Sequence, residues 1–186
     1  MKGSGRSIPL NCVDKCLLAL DGINEPMTTY AILDIEGEID HVRLNQAIFS
    51  AQKAHPRMRT ILRRKHFRLF REVQEDLREG ILSVQDLASL QDANYERRLS
   101  EFLSQRIDIR KAFPFKVLLL RKNELESSLI FSFHHSALDG LRALLFIRTV
   151  IESYNNELAE GSPSFEDPRM YSKADELLAY ANSQRS

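Results

Sequence analysis

The residues richest in chemistry are Phe131-Ser132-Phe133-His134-His135-Ser136-Ala137-Leu138-Asp139-Gly140. An apolar run leads into a short polar turn, and a helical pattern begins after the glycine. Two of the chain's five histidines are adjacent here. In extended backbone, neighbouring side chains point to opposite faces, so one ring is expected to face a cleft and the other to pack inward. That divergence makes them a poor pair of metal ligands, and a tetrahedral zinc site wants three or four converging groups. A neutral imidazole near pH 7 is instead the natural base for removing an alcohol or amine proton. Asp139 has the means to orient a ring, bind a cation or cap the helix that starts near Leu141. Gly140 relaxes the backbone where strand hands over to helix. On residue types alone, a catalytic turn and a structural histidine pair with a capping aspartate are both open.

Other candidate chemistry is weaker. Cys12 and Cys16 are one helical turn apart, but no second cysteine pair and no nearby histidine completes a metal or redox site. They read as two small, semi-buried apolar residues on a first helix. Arg57, Arg59, Arg63, Arg64, Lys65, Arg68 and Arg71 form a basic cluster. Phosphate groups, an acidic protein surface or nucleic acid would each suit it. Glu72, Glu75, Asp76 and Glu79 follow at once, which favours a solvated, self-compensating hairpin, and no nucleic-acid motif supports the last option. His41, His55 and His66 fall at a helix start, a helix end and a basic turn.

The elements that must position the histidines can be read from periodicity. Asn11 caps a short helix through Leu20 that stops around Asp21-Gly22. Thr28 to Ile35 is β-branched and aromatic, a strand closed by Glu36-Gly37. From Asp40, Leu44, Ala47, Ile48 and Ala51 recur at helical spacing, and the helix ends by His55-Pro56. Met58 to Leu62 and Phe67 to Val73 are two short strands around a basic turn, and Ile81 to Leu90 is ambiguous. Tyr95, Leu99, Phe102 and Leu103 mark an amphipathic helix. Phe115 to Leu120 and Leu129 to Phe133, joined by a polar loop, are apolar on both faces and suggest central, doubly covered strands. After Gly140, Leu144, Ile147, Ile151, Tyr154 and Leu158 step by three and four. Ala174, Leu177, Leu178 and Ala181 make a last short helix. The result is one domain, residues 1–186, of helices packed on a sheet, with residues 1–7 as a disordered or vector-derived tail.

Composition agrees. The 186 residues are 43% apolar and 28% charged, with 26 basic and 26 acidic side chains, an ordinary globular balance that excludes collagen-like, low-complexity and mostly disordered chains. Zero formal net charge gives no overall pull toward nucleic acid or anionic lipid. The apolar runs are too short for a membrane span, no signal peptide opens the chain, and the expected location is the cytoplasm.

His134-His135-Ser136-Ala137-Leu138-Asp139-Gly140 resembles the HHxxxDG motif of the condensation-domain superfamily, the chloramphenicol-acetyltransferase-like acyltransferases. Its flanks are similar in order too: Asn11-Cys12-Val13-Asp14, Ile35 to Asp40 ahead of Leu44 to Ala47, His55-Pro56-Arg57-Met58-Arg59-Thr60, Ile107-Asp108-Ile109, Pro114-Phe115-Lys116, Leu129 to Phe133, and Tyr154 to Gly161. The resemblance implies an α/β (α+β, two-layer) half-domain with a mixed β-sheet flanked by helices. It implies acyl transfer from a thioester, on acyl-CoA or a phosphopantetheinyl carrier protein, to an amine or hydroxyl acceptor, with no tightly bound cofactor and no metal. His135 would be the base, His134 structural, Asp139 held in an ion pair with Arg59, and Gly140 open to the substrate. Lys116 stands where many relatives carry arginine, keeping the charge without the planar fork. With 46 residues after Gly140, the chain resembles the N-terminal half alone. A missing C-terminal half or a homo-oligomer would then complete the cleft, and self-association is expected. The alternative is a non-catalytic binding module that recognises a carrier protein or partner subunit.

Overall fold

Phe115–Arg121 (β6) and Glu126–His134 (β7) run antiparallel at the centre of a four-stranded sheet. A computed structural model describes residues 6–22, 27–77, 81–87 and 92–156. The sheet order is β2-β7-β6-β5, where β2 is Thr28–Glu36 and β5 is Leu82–Asp86. β2 pairs antiparallel with β7, and β5 parallel with β6, so the sheet is mixed. The ambiguous stretch after Ile81 thus supplies an edge strand.

Parity explains why both central strands look apolar throughout. Phe115, Val117, Leu119, Leu129, Phe131 and Phe133 face one way, against helices His41–Ala54 (α2) and Gly140–Asn156 (α4). Leu118, Leu120 and Ile130 face the other way, against Tyr95, Leu99, Phe102 and Leu103 of Asp92–Ser104 (α3). Both faces are covered, as expected of continuous apolar strands. Phe146 of α4 sits 5.1, 5.8 and 6.4 Å from the rings of Phe115, Phe133 and Phe131, edge to face. Burying such a ring contributes roughly 1.5–3 kcal/mol by area.

α2 begins where expected. Asp40 is its cap, with Oδ1 accepting from the amides of Val42 and Arg43 at 2.9 and 3.2 Å. Gly37, closing β2, takes φ +108°, a left-handed conformation that glycine adopts without strain. In α4 the inward positions are Ala143, Phe146, Ile147 and Val150, while Leu144 and Ile151 point outward. The expected stripe had Ile147 and the half-buried Tyr154 on the core side, but Leu144 and Ile151 face solvent. Leu158 and the helix around Leu177 lie outside the described residues.

A second sheet, order β1-β4-β3, comprises Ser7–Pro9, Arg68–Val73 and Thr60–Lys65. Arg6 and Ser7 are therefore not tail: Ser7 pairs with Glu72, and the Arg6 carbonyl accepts from the Val73 amide at 2.9 Å. Residues 1–5 lie outside the described residues. Residues 56–59 form a 3-10 turn, so β3 starts at Thr60 rather than Met58. His66 and Phe67 make the two-residue hairpin turn, both at positive φ as right-handed strand twist favours.

Cys12–Gly22 (α1) docks beside this sheet. The Asn11 side chain accepts from the Asp14 amide at 2.7 Å, and Asp14 reciprocates with the Asn11 amide at 3.2 Å, a reciprocal cap. Cys12 and Cys16 are exposed free thiols, not semi-buried packing residues. The reason is rotational: α1 turns Asp14 inward and half-buries Leu18 and Asp21, which leaves the cysteine side to solvent.

Candidate functional site

β7 delivers His134 and His135 to the end of the central sheet, where the chain turns through residues 135–137 before α4. The backbone is held on both sides. The His134 amide donates to the Pro114 carbonyl at 2.8 Å, the His135 amide to Met27 at 2.7 Å, and the Ala137 amide to His134 at 2.9 Å. These bonds leave the two rings no freedom to exchange faces.

The rings differ in every respect. His134 is fully buried. Its Nδ1 accepts from the Ser136 amide at 3.3 Å and lies 2.8 Å from Ser136 Oγ. A backbone amide only donates, so the His134 proton sits on Nε2, 3.6 Å from Asp21 Oδ2 and too far for a hydrogen bond. Burial pushes the His134 pKa down, and the Asp21 carboxylate offsets this only in part. His135 is half-buried, and its Nδ1 lies 3.1 Å from the Leu138 carbonyl. A carbonyl only accepts, so here Nδ1 carries a proton, and in the neutral ring the lone pair lies on Nε2. Adjacent histidines thus use Nδ1 in opposite senses: His134 accepts there and His135 donates.

Asp139 is exposed and caps α4, its Oδ1 accepting from the Arg142 amide at 2.8 Å, with Arg142 Nε 3.9 Å from Oδ2. The expected Arg59 partnership is not formed. Capping α4 takes up Asp139, and Arg59 pairs with Glu75 at 2.8 Å instead. Gly140 has open space around its Cβ position and no positive φ. Lys116 takes no carboxylate. It donates to the Phe102 carbonyl and, at 2.8 Å, to Gln105, which ties off the end of α3, and it lies over the Phe102 ring. Burial lowers its pKa to about 8.

The sequence reading missed Arg71 and Asp14. Arg71 is 1% exposed, not part of a solvated hairpin. Its Nη2 donates to the Ser136 carbonyl at 2.5 Å and lies 3.5 Å from Asp14 Oδ1, with Arg57 Nη1 3.6 Å from the same oxygen. The available signal was parity, since Arg71 shares the inward face of β4 with Val73. The remaining cluster behaves as expected where Arg63 meets Glu72 at 3.0 Å. A polar cleft lined by Glu38, Asp86, Arg121 and Ser127 lies at the opposite end of the sheet. Among the described residues no group of three or more His, Cys, Asp or Glu converges as a metal site, and no helix is long and apolar enough to cross a membrane.

The condensation-domain family model matches residues 19–185. The chain belongs to the condensation domain family. Surfactin synthase subunit 1 from Bacillus subtilis (strain 168) is 24% identical over 155 residues, which is 82% of this chain and 4% of that protein. The first condensation domain of the calcium-dependent antibiotic synthetase, solved with substrate analogue 3a, superposes with a TM-score of 0.79 at 16% identity. That match covers 94% of this chain and 45% of that one. The starter condensation domain of rhizomide synthetase gives 0.73 at 17% identity, over 86% of this chain and 40% of that one. The described condensation fold therefore spans less than half of these solved chains, and it carries the mixed, helix-flanked α+β arrangement expected of them.

Proposed function

We propose that this condensation domain transfers an acyl group from a thioester, on CoA or a phosphopantetheinyl carrier protein, to an amine or hydroxyl acceptor, with His135 as general base. The observation that carries this reading is the Nδ1–H···O=C bond to Leu138, which orients a half-buried ring so that Nε2 is the lone-pair nitrogen of its neutral form. As the acceptor's nitrogen or oxygen bonds to the thioester carbon, Nε2 takes its proton. Collapse of the tetrahedral adduct breaks the C–S bond, and the thiolate recovers the proton from the imidazolium. His134 stays neutral and braces the turn, Asp139 starts α4, and Gly140 keeps the mouth of the turn open. The rhizomide starter domain, as an R148A variant, was solved with C8-CoA, which supports an acyl thioester as donor here.

Residues 1–186 act in this reading as one N-terminal half in the cytoplasm, with a C-terminal half or a second copy as the other wall. The spans of 45% and 40% of the matched chains support that. His135→Ala is expected to lower the transfer rate roughly 10²–10⁴-fold with an unchanged circular dichroism spectrum. A variant as fast as the parent defeats the assignment. A parent that binds carrier protein tightly and turns over no thioester favours the binding module instead.

A further inference from the structure

We infer that Arg71 is a positioning residue for His135, acting through the Ser136 carbonyl; the inference rests on the general-base reading above. Four observations lead to it. Arg71 comes from β4 in the small sheet, yet its guanidinium crosses to the turn that ends β7 and donates to Ser136 at 2.5 Å. It is the largest of the fully buried side chains among the described residues. A buried guanidinium is tolerated only when paired, and Asp14 on α1 supplies the charge at 3.5 Å. Asp14 is in turn fixed by the reciprocal cap with Asn11 and by Arg57.

The geometry says what this does. Ser136 is flanked by the two histidines' constraints: its amide and hydroxyl hold His134 Nδ1, and the turn carries on to Leu138, whose carbonyl holds His135 Nδ1–H. Fixing the Ser136 carbonyl therefore fixes the peptide plane between the acceptor for His135 and the brace for His134. Without Arg71, that carbonyl is buried with no charged donor, and the Ser136–Ala137 peptide plane is held only by the Ala137 amide's bond to the His134 carbonyl at 2.9 Å. The Leu138 carbonyl then moves relative to the His135 ring, and the tautomer that exposes Nε2 loses its support. Misplacing a catalytic group by about 1 Å is enough to cost on the order of 10²-fold in rate.

The test removes the ion pair as a unit. Asp14→Leu/Arg71→Met removes both members of the buried pair and leaves only Arg57, whose side chain is 19% exposed, without its carboxylate, so the fold is expected to survive. Long-range ¹H–¹⁵N correlation of the histidine rings is read on the chain itself, and thioester transfer on the full chain. The parent is expected to show His135 protonated on Nδ1 and His134 on Nε2. The double variant is expected to shift His135 toward the Nε2-protonated form and to lower kcat roughly ten- to a hundredfold, with the donor KM unchanged. Arg71→Lys, which keeps the charge on Asp14, is expected to retain the parent tautomer and recover part of kcat. A folded double variant with the parent tautomer and parent kcat overturns the inference. Should the double variant not fold, Arg71→Lys decides alone: a parent kcat overturns the inference, and a several-fold loss with the fold intact supports it. A His135→Ala variant that stays active defeats the general-base reading instead. An inactive His135→Ala beside a fully active double variant defeats only the role of Arg71.

Discussion

Beneath α2 and α4 the four-stranded sheet closes its core with Phe115, Phe131, Phe133 and Phe146, whereas the three-stranded sheet buries Leu62, Val73 and the guanidinium of Arg71. The first core is predominantly hydrocarbon. Its attraction is non-directional and scales with area, so any well-packed arrangement of similar volume serves. The second core is tied by a few directed contacts whose partners come from three elements: Asp14 on α1, Ser136 after β7 and Arg57 before β3. Such contacts stabilise little on average, but they specify one geometry and fail sharply when one partner is lost. The histidine turn lies at the seam. β7 brings it from the hydrocarbon sheet, and Arg71 holds it from the polar one.

The largest effect is expected where area dominates. Phe146→Ala removes a ring packed edge to face against three phenylalanines and His55, and should cost ~3–5 kcal/mol in denaturant unfolding. A cost near 1 kcal/mol would mean that this core refills the hole, and the contrast between the sheets would vanish.

Legibility follows the same division. Strands β6 and β7 and helix α2 were readable because hydrocarbon burial writes itself into periodicity, and the Asn11 cap because capping is local in sequence. The histidine pair was readable as one ring in and one out, since strand parity alone demands that. Arg71 was not, because seven cations in a row of fifteen residues look solvated until the β3–β4 register is known. Asp139 and Arg59 were paired by likeness to relatives. In this chain helix capping claims the aspartate, and Glu75 claims the arginine. The cysteines failed for want of one angle, the rotation of α1, which the inward pull of Asp14 sets and no pattern in eleven residues announces.

A pH series sharpens the seam. Burial lowers the pKa of His134 below its ordinary 6.5, against the partial opposition of Asp21, while Arg71 and Arg106 add to the lowering. Burial lowers His55 in the same direction. In the unfolded chain both rings take up protons as pH falls through about 6.5. The native state resists until lower pH, so the unfolded state binds more protons and stability declines on acidification. Their contribution is intact above pH 6.5 and lost progressively below it. His134→Asn keeps an acceptor for Ser136 without a titrating group. Its unfolding midpoint should fall less between pH 7.5 and 5.5 than the parent's, and equal declines would place the sensitivity elsewhere.

The smallest effect belongs to the outward side of the polar sheet. Arg63 and Glu72 sit 3.0 Å apart with side chains 45% and 35% exposed. Water screens such a pair, and two long side chains lose rotamer freedom to form it, so Arg63→Ala should cost about 0–1 kcal/mol. Glu72 then loses the guanidinium that most lowers its pKa, and the residual effect should fade further in high salt as surface charges are screened. Arg63 and Arg71 lie on adjacent strands of one sheet and carry the same charge. If removing Arg63 proved as damaging as removing Arg71, burial would not be what separates them, and the directed contact to Ser136 would lose its special standing.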